Sequence, residues 1–247
     1  MIVFLHVERT GGSKLLRTIG PHFPGRCILV LSPVDVPGSL ERARSHPNPR
    51  WFVGGHLRFT DLTPFLAARQ PSDILFSTTR NPLERAISLY FFTLRHPSAQ
   101  PELARFAEQS FAAFYAAAVG EQVLLPNAQC RFLADSTDWR EARRTIRRHY
   151  NLVGVHLRYG RFLERLRDLL RSDIPGLEFD SARHNAAYHQ EADPGNWKRK
   201  VEIDTLVSAP LRRRIERDHE GDFALVEFIA SQPDGVMCGP GTPSHGR

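Results

Sequence analysis

The heptapeptide Glu8-Arg9-Thr10-Gly11-Gly12-Ser13-Lys14 cuts off the apolar run "IVFLHV" (residues 2–7) and opens a helical pattern over residues 13–20. A strand that passes through glycines into a helix makes an anion site. Backbone N–H groups of the turn converge with the unpaired N–H groups of the first helical turn, and the helix dipole adds to them. Gly11 and Gly12 let the backbone approach closely, Thr10 and Ser13 offer hydroxyls, and Arg9 and Lys14 offer charge. The segment is neither a Walker A loop nor a Rossmann turn, because the glycine spacing of both is missing. Taken alone it also fits an ordinary strand-to-helix turn.

A second segment, "FSTTRNPLERAISLYFF" (76–92), repeats the arrangement, with Arg80 at the end of a strand and Pro82 in the first turn of a helix. Proline suits that position. Ser88 lies two helical turns further on, and an arginine fork with a hydroxyl can cradle a second phosphate. The plainer alternatives are a Ser88 hydroxyl bonded to its own helix backbone and an Arg80 held in a salt bridge.

His56 is the candidate general base. It directly follows the strand-like "WFVGG" (51–55), and α/β active sites collect at the carboxyl edge of the sheet. An imidazole suits proton transfer near neutral pH. The alternative is a histidine capping the helix expected at 61–69. Of the eleven histidines, His6 falls inside the first strand and reads as a core residue, whereas His184 and His189 lie in a polar loop. In that loop "WKRK" (197–200) sets Lys198 and Arg199 beside Trp197, either to close over a nucleotide or as a solvated charge cluster.

The elements that must position these groups alternate. Short apolar runs at 2–7, 27–31, 51–55, 73–79 and 151–155 read as strands covered on both faces. Helical patterns fall at 13–20, 37–45, 61–69, 82–95, 101–118, 126–134, 139–149, 160–171 and 205–231. This alternation predicts a parallel α/β sheet flanked by helices, with a helical insertion or cap over about 97–149. Residues 1–231 read as a single domain, and 232–247 as a disordered tail.

With these residues in view, the chain resembles the sulfotransferases that use 3'-phosphoadenosine 5'-phosphosulfate (PAPS). The similarity is to the carbohydrate branch that includes heparan sulfate 2-O-sulfotransferase and its bacterial relatives. "ERTGGSK" is similar to that family's "PKTGGTS"-like loop, which holds the 5'-phosphosulfate. "RNPLERAISLY" is similar to the segment that holds the 3'-phosphate. "GGHLRF" (54–59), "NAQCRFL" (127–133) and "LVGVHLRYGRFLERLRDLL" (152–170) follow in the family's order, as does "RHNAAY" (183–188). The resemblance implies a P-loop-kinase-like fold, PAPS as co-substrate without a metal, and sulfuryl transfer to a hydroxyl acceptor, a sugar. It implies Arg9, Thr10, Gly11, Gly12, Ser13, Lys14, Arg80 and Ser88 as nucleotide-binding residues and His56 as base. Glu8 stands where the family has proline, Arg9 where it has lysine, Lys14 where it has a small hydroxyl residue, and Asn81 where it commonly has aspartate. Arg9 and Lys14 therefore compete for the role of the cation on the leaving phosphate.

The bulk properties agree. The chain has 247 residues, a net charge of +6 and only three lysines among 33 basic residues, a balance that favours anionic partners. Arginine richness also arises from codon usage. The absence of a helix-turn-helix or RNA-binding signature argues against nucleic acid. No apolar run reaches the ~20 residues of a membrane span, and the start does not read as a signal peptide. Three dispersed cysteines suggest a reducing compartment, the cytoplasm, and neither disulfides nor a zinc site.

Overall fold

A computed structural model describes residues 1–30, 36–45, 50–179 and 205–239. Its centre is a six-stranded sheet in the order β2-β3-β1-β4-β5-β6, formed by β1 (Ile2–Leu5), β2 (Cys27–Val30), β3 (Phe52–Gly55), β4 (Ile74–Thr79), β5 (Leu152–Val155) and β6 (Val236–Cys238). The first five strands run parallel, and β6 adds antiparallel to β5, with Val153 opposite Met237. The expected strands thus appear, each trimmed by a residue or two.

Side-chain alternation divides the core into two layers. On one face Ile2, Phe4, Phe52, Phe76 and Leu152 pack under α1 (Gly12–Ile19) and α9 (Tyr159–Leu170). On the other, Val3, Leu5, Val53, Leu75 and Val153 are covered. Their cover comes from α2 (Val36–Ser45), α3 (Thr63–Ala67), α7 (Ala128–Ala134), α8 (Trp139–His149) and α11 (Glu220–Ala230). Burial on both faces accounts for the largely apolar sequences of β1, β3, β4 and β5, whereas the edge strand β2, expected to be covered on both faces, leaves Leu29 exposed.

A third apolar cluster forms a helical cap. It joins α4 (Pro82–Arg95), α5 (Pro101–Ala107), α6 (Phe111–Gly120) and α10 (Ala209–Asp218) through Leu89, Tyr90, Phe111, Phe114 and Ile215.

Three expectations need correction. The single helix expected at 101–118 is broken at 108–110, where Ser110 caps α6 by accepting from the Ala113 N–H at 3.1 Å. Of the stretch 97–149, expected as a cap, only α5 and α6 join the helical region, while α7 and α8 cover the sheet itself. The tail expected to be disordered from 232 instead supplies β6, whose Val236 and Met237 are buried. Lys198, Arg199, His184, His189 and the rest of 180–204 lie outside the described residues, as do 240–247.

Candidate active site

Four connections leave the carboxyl edge of the parallel sheet close together: the turn after β1, His56 after β3, Arg80 after β4 and His156 after β5. The chain leaves β1 toward β2 and β3 on one side, and β4 toward β5 on the other. The edge between β1 and β4 is therefore a topological switch point, where open α/β sheets form their ligand crevice.

The turn has the backbone of an anion cradle. Arg9 (φ 64°) and Gly11 (φ 93°) are left-handed on either side of Thr10, and α1 starts at Gly12. Such alternation turns successive N–H groups toward one concavity. A Cβ on Gly12 would lie 2.1 Å from His6 Cδ2, so any side chain there forces the imidazole or the helix start to move. Tyr159 pins the turn from α9, its hydroxyl donating to the Gly11 carbonyl at 3.1 Å.

Thr10 does not offer the free hydroxyl expected of it. It is buried, and its Oγ1 donates to the Val7 carbonyl at 2.7 Å and lies 2.9 Å from Thr78 Oγ1. With its one proton committed, Thr10 fastens the turn to β4. Ser13 is exposed and Lys14 partly exposed in the first turn of α1.

Arg9 turns toward α4. Its Nη2 and Nε donate to Ser88 Oγ at 3.1 and 3.3 Å, and the guanidinium lies 4.4 Å over the Phe92 ring. Ser88 thus meets Arg9, and not its sequence neighbour Arg80. Arg80 reaches the same place from β4, donating from Nη1 to the Arg9 carbonyl at 3.3 Å and from Nε to Glu84 at 3.3 Å. Burial first, then the charges of Arg80 and Arg95, lower the Arg9 guanidinium to about 10, while Glu8 opposes them. It stays cationic at neutral pH, beside two other guanidinium groups.

Sequence reasoning matched the segment around Gln129 but missed its contact. The Gln129 side chain accepts the Arg80 N–H and donates to the Arg80 carbonyl, both at 2.8 Å. Gln129 is held in turn by Asp222 of α11, whose carboxylate accepts the N–H groups of Gln129 and Cys130 at 3.0 and 2.8 Å. The α11 start therefore sets α7, and α7 sets the backbone of Arg80. Asn81 caps α4, accepting from Leu83 and Glu84 at 3.0 and 3.2 Å, as an aspartate would.

His56 sits across the turn. Its backbone N–H donates to the Val30 carbonyl at 3.0 Å, and its ring stacks on His6 with centroids 4.9 Å apart. The His56 Nδ1 is 3.8 Å from Glu8 Oε1. His6 is 4% exposed, between the rings of Phe4 and His56, and its Nδ1 has no hydrogen-bond partner among the described residues. Burial foremost, with the charges of His56 and Arg9, lowers His6 to about 3, so it is neutral. His156 borders the turn from the other side and is likewise lowered to about 3, by burial and then Arg80.

Among the described residues no cluster of three or more His, Cys, Asp or Glu side chains is arranged to hold a metal ion, and no helix is long and apolar enough to cross a membrane. The three cysteines are unpaired. No protein-family model matches the chain, and no curated protein matches it. What fold and site define is an α/β protein with a mostly parallel sheet, a helical cap and an arginine-rich turn at its switch point.

Proposed function

We propose that this chain is a sulfotransferase that moves a sulfuryl group from PAPS to a hydroxyl acceptor, a sugar of a polysaccharide, glycolipid or small glycoside. The observation that carries this reading is the convergence of Arg9 and Arg80 on a glycine turn at a helix start, with an imidazole on the same sheet edge. The Arg9 guanidinium, lowered by burial and then by the charges of Arg80 and Arg95, is relieved by a polyanion, and PAPS offers two phosphate positions. The strand order and the turn after β1 support a P-loop-kinase-like fold. Unpaired cysteines fit the cytoplasm.

In this reading the turn's N–H groups, Arg9 and Lys14 face the 5'-phosphosulfate, and Arg80 and Ser88 serve the 3'-phosphate. The acceptor oxygen forms a bond to sulfur as the bond from sulfur to the phosphate oxygen breaks. The hydroxyl proton passes to His56, and adenosine 3',5'-bisphosphate leaves. Catalysis is alignment plus stabilisation of charge on the leaving oxygen. Arg9 stabilises that charge as a permanent cation and does not donate a proton to it.

The test is release of adenosine 3',5'-bisphosphate from PAPS in the presence of a panel of carbohydrates. The His56→Ala variant should lose about 10²–10⁴-fold in turnover while binding the nucleotide as before. Phosphoryl transfer from ATP, with none from PAPS, would defeat the proposal.

A further inference from the structure

Glu8 occupies a position that the anion cradle does not need filled by a carboxylate. An acid next to an anion site weakens it, and here it adjoins Arg9 in the chain, and its charge acts on Arg9 and on the buried Arg85 of α4. Yet Glu8 is also the acidic group 3.8 Å from His56 Nδ1. That nitrogen is shielded from solvent and has no hydrogen-bond partner among the described residues, although the whole side chain is 31% exposed. His6 stacks face to face on it and offers no in-plane acceptor.

We propose that Glu8 is a positioning residue that holds the Nδ1 proton of His56, so that Nε2 carries the lone pair toward the sheet edge. The required movement is small. The gap exceeds hydrogen-bond length by under about 1 Å, and the Glu8 side chain is 44% exposed and able to swing. Proton-transfer pairs are commonly long before substrate arrives and tighten on binding. A carboxylate on one ring nitrogen fixes the tautomer and ring orientation and stabilises the imidazolium formed when the other nitrogen takes a proton. The consequence for catalysis rests on the transferase reading, but the pairing itself does not.

The proton location is read directly by nitrogen NMR of the full chain labelled in its histidines, with and without adenosine 3',5'-bisphosphate, at a pH where His56 is neutral. His56 in the wild type should carry its proton on Nδ1. In Glu8→Gln and Glu8→Ala the proton should redistribute toward Nε2, while the signals of His149, which precedes β5 at the opposite edge of the sheet, stay in place as a check on folding. A wild-type His56 protonated on Nε2, or a proton location unchanged in both variants, would overturn the pairing whether or not the chain transfers sulfuryl groups. In the transfer assay both variants should lose about 10- to 100-fold in kcat, while adenosine 3',5'-bisphosphate binds at least as tightly as to the wild type, because a negative charge beside the cradle is gone. Full kcat in both variants, with turnover abolished by His56→Ala, would overturn the positioning role. Absence of transfer by the wild type would instead sink the transferase reading, and the NMR result would still decide the pair.

Discussion

Replacing Gly12 by alanine tests how tightly the anion turn is built onto the sheet. The new Cβ would fall 2.1 Å from His6 Cδ2, 2.5 Å from Nε2 and 2.7 Å from Cγ. Carbon atoms pack at 3.5 Å or more, so ring or helix start must retreat by about 1.4 Å. The ring has no room, because it is stacked between Phe4 at 5.6 Å and His56 at 4.9 Å and is almost wholly buried. Overpacking of this kind costs about 1–3 kcal/mol, and alanine's better helix propensity returns at most about 1 kcal/mol at a helix start. A net loss of about 1–2 kcal/mol should lower Tm by roughly 2–8 °C in a chain of this size. Urea unfolding without nucleotide measures it, with a shifted midpoint and an unchanged m-value. The cost should vanish in a His6→Ala background, where the Cβ meets an empty space. An equal cost of Gly12→Ala in both backgrounds would refute the contact, and with it the claim that His6 supports the turn.

Two further outcomes are expected, the first from the proposed nucleotide assignment and the second from burial. Arg80→Ala should weaken adenosine 3',5'-bisphosphate by about 1.5–3 kcal/mol, the worth of a charge-assisted hydrogen bond, and adenosine 5'-phosphate far less; equal losses in calorimetric titrations would remove Arg80 from the 3' side. Acid should destabilise the fold earlier than carboxylate protonation explains, since His6 and His156 are lowered to about 3 and His219 to about 4. The unfolded chain binds these protons below about 6.5, so their stabilisation is complete above that pH and is lost as pH falls toward 4, at up to roughly 4 kcal/mol per pH unit for the three. A flat stability between pH 6.5 and 5 would contradict it.

The central strands were legible because they are buried on both faces and so begin with unbroken apolar runs, as in "IVFL" and "ILF"; at the edge, "CILV" was legible although Leu29 is exposed. The turn was legible because glycine, hydroxyl and basic residues fall together between a strand and a helix. The contacts across the site were not. Ser88 was expected beside Arg80 by local spacing, but Arg9 arrives from 79 residues away and takes the hydroxyl. Gln129 reads the Arg80 backbone across 49 residues, a pairing that local periodicity does not encode. The "GVMC" stretch hid a strand because it is short and follows Pro233-Asp234, which reads as a stop. Thr10 looked like a ligand donor because its type was visible and its bond to Val7 was not.

The central claim is that the cradle at the switch point takes a nucleotide with both 3' and 5' anions. Thermal unfolding with adenosine 3',5'-bisphosphate, adenosine 5'-phosphate, ADP and ATP, each with and without magnesium, tests it most directly. At 100 times its dissociation constant a ligand of the native state adds about 2.7 kcal/mol, which raises Tm by roughly 5–11 °C. That shift is expected for adenosine 3',5'-bisphosphate at the lowest concentration of the four, independent of magnesium. Stabilisation by ATP with magnesium, and none by adenosine 3',5'-bisphosphate, would contradict it.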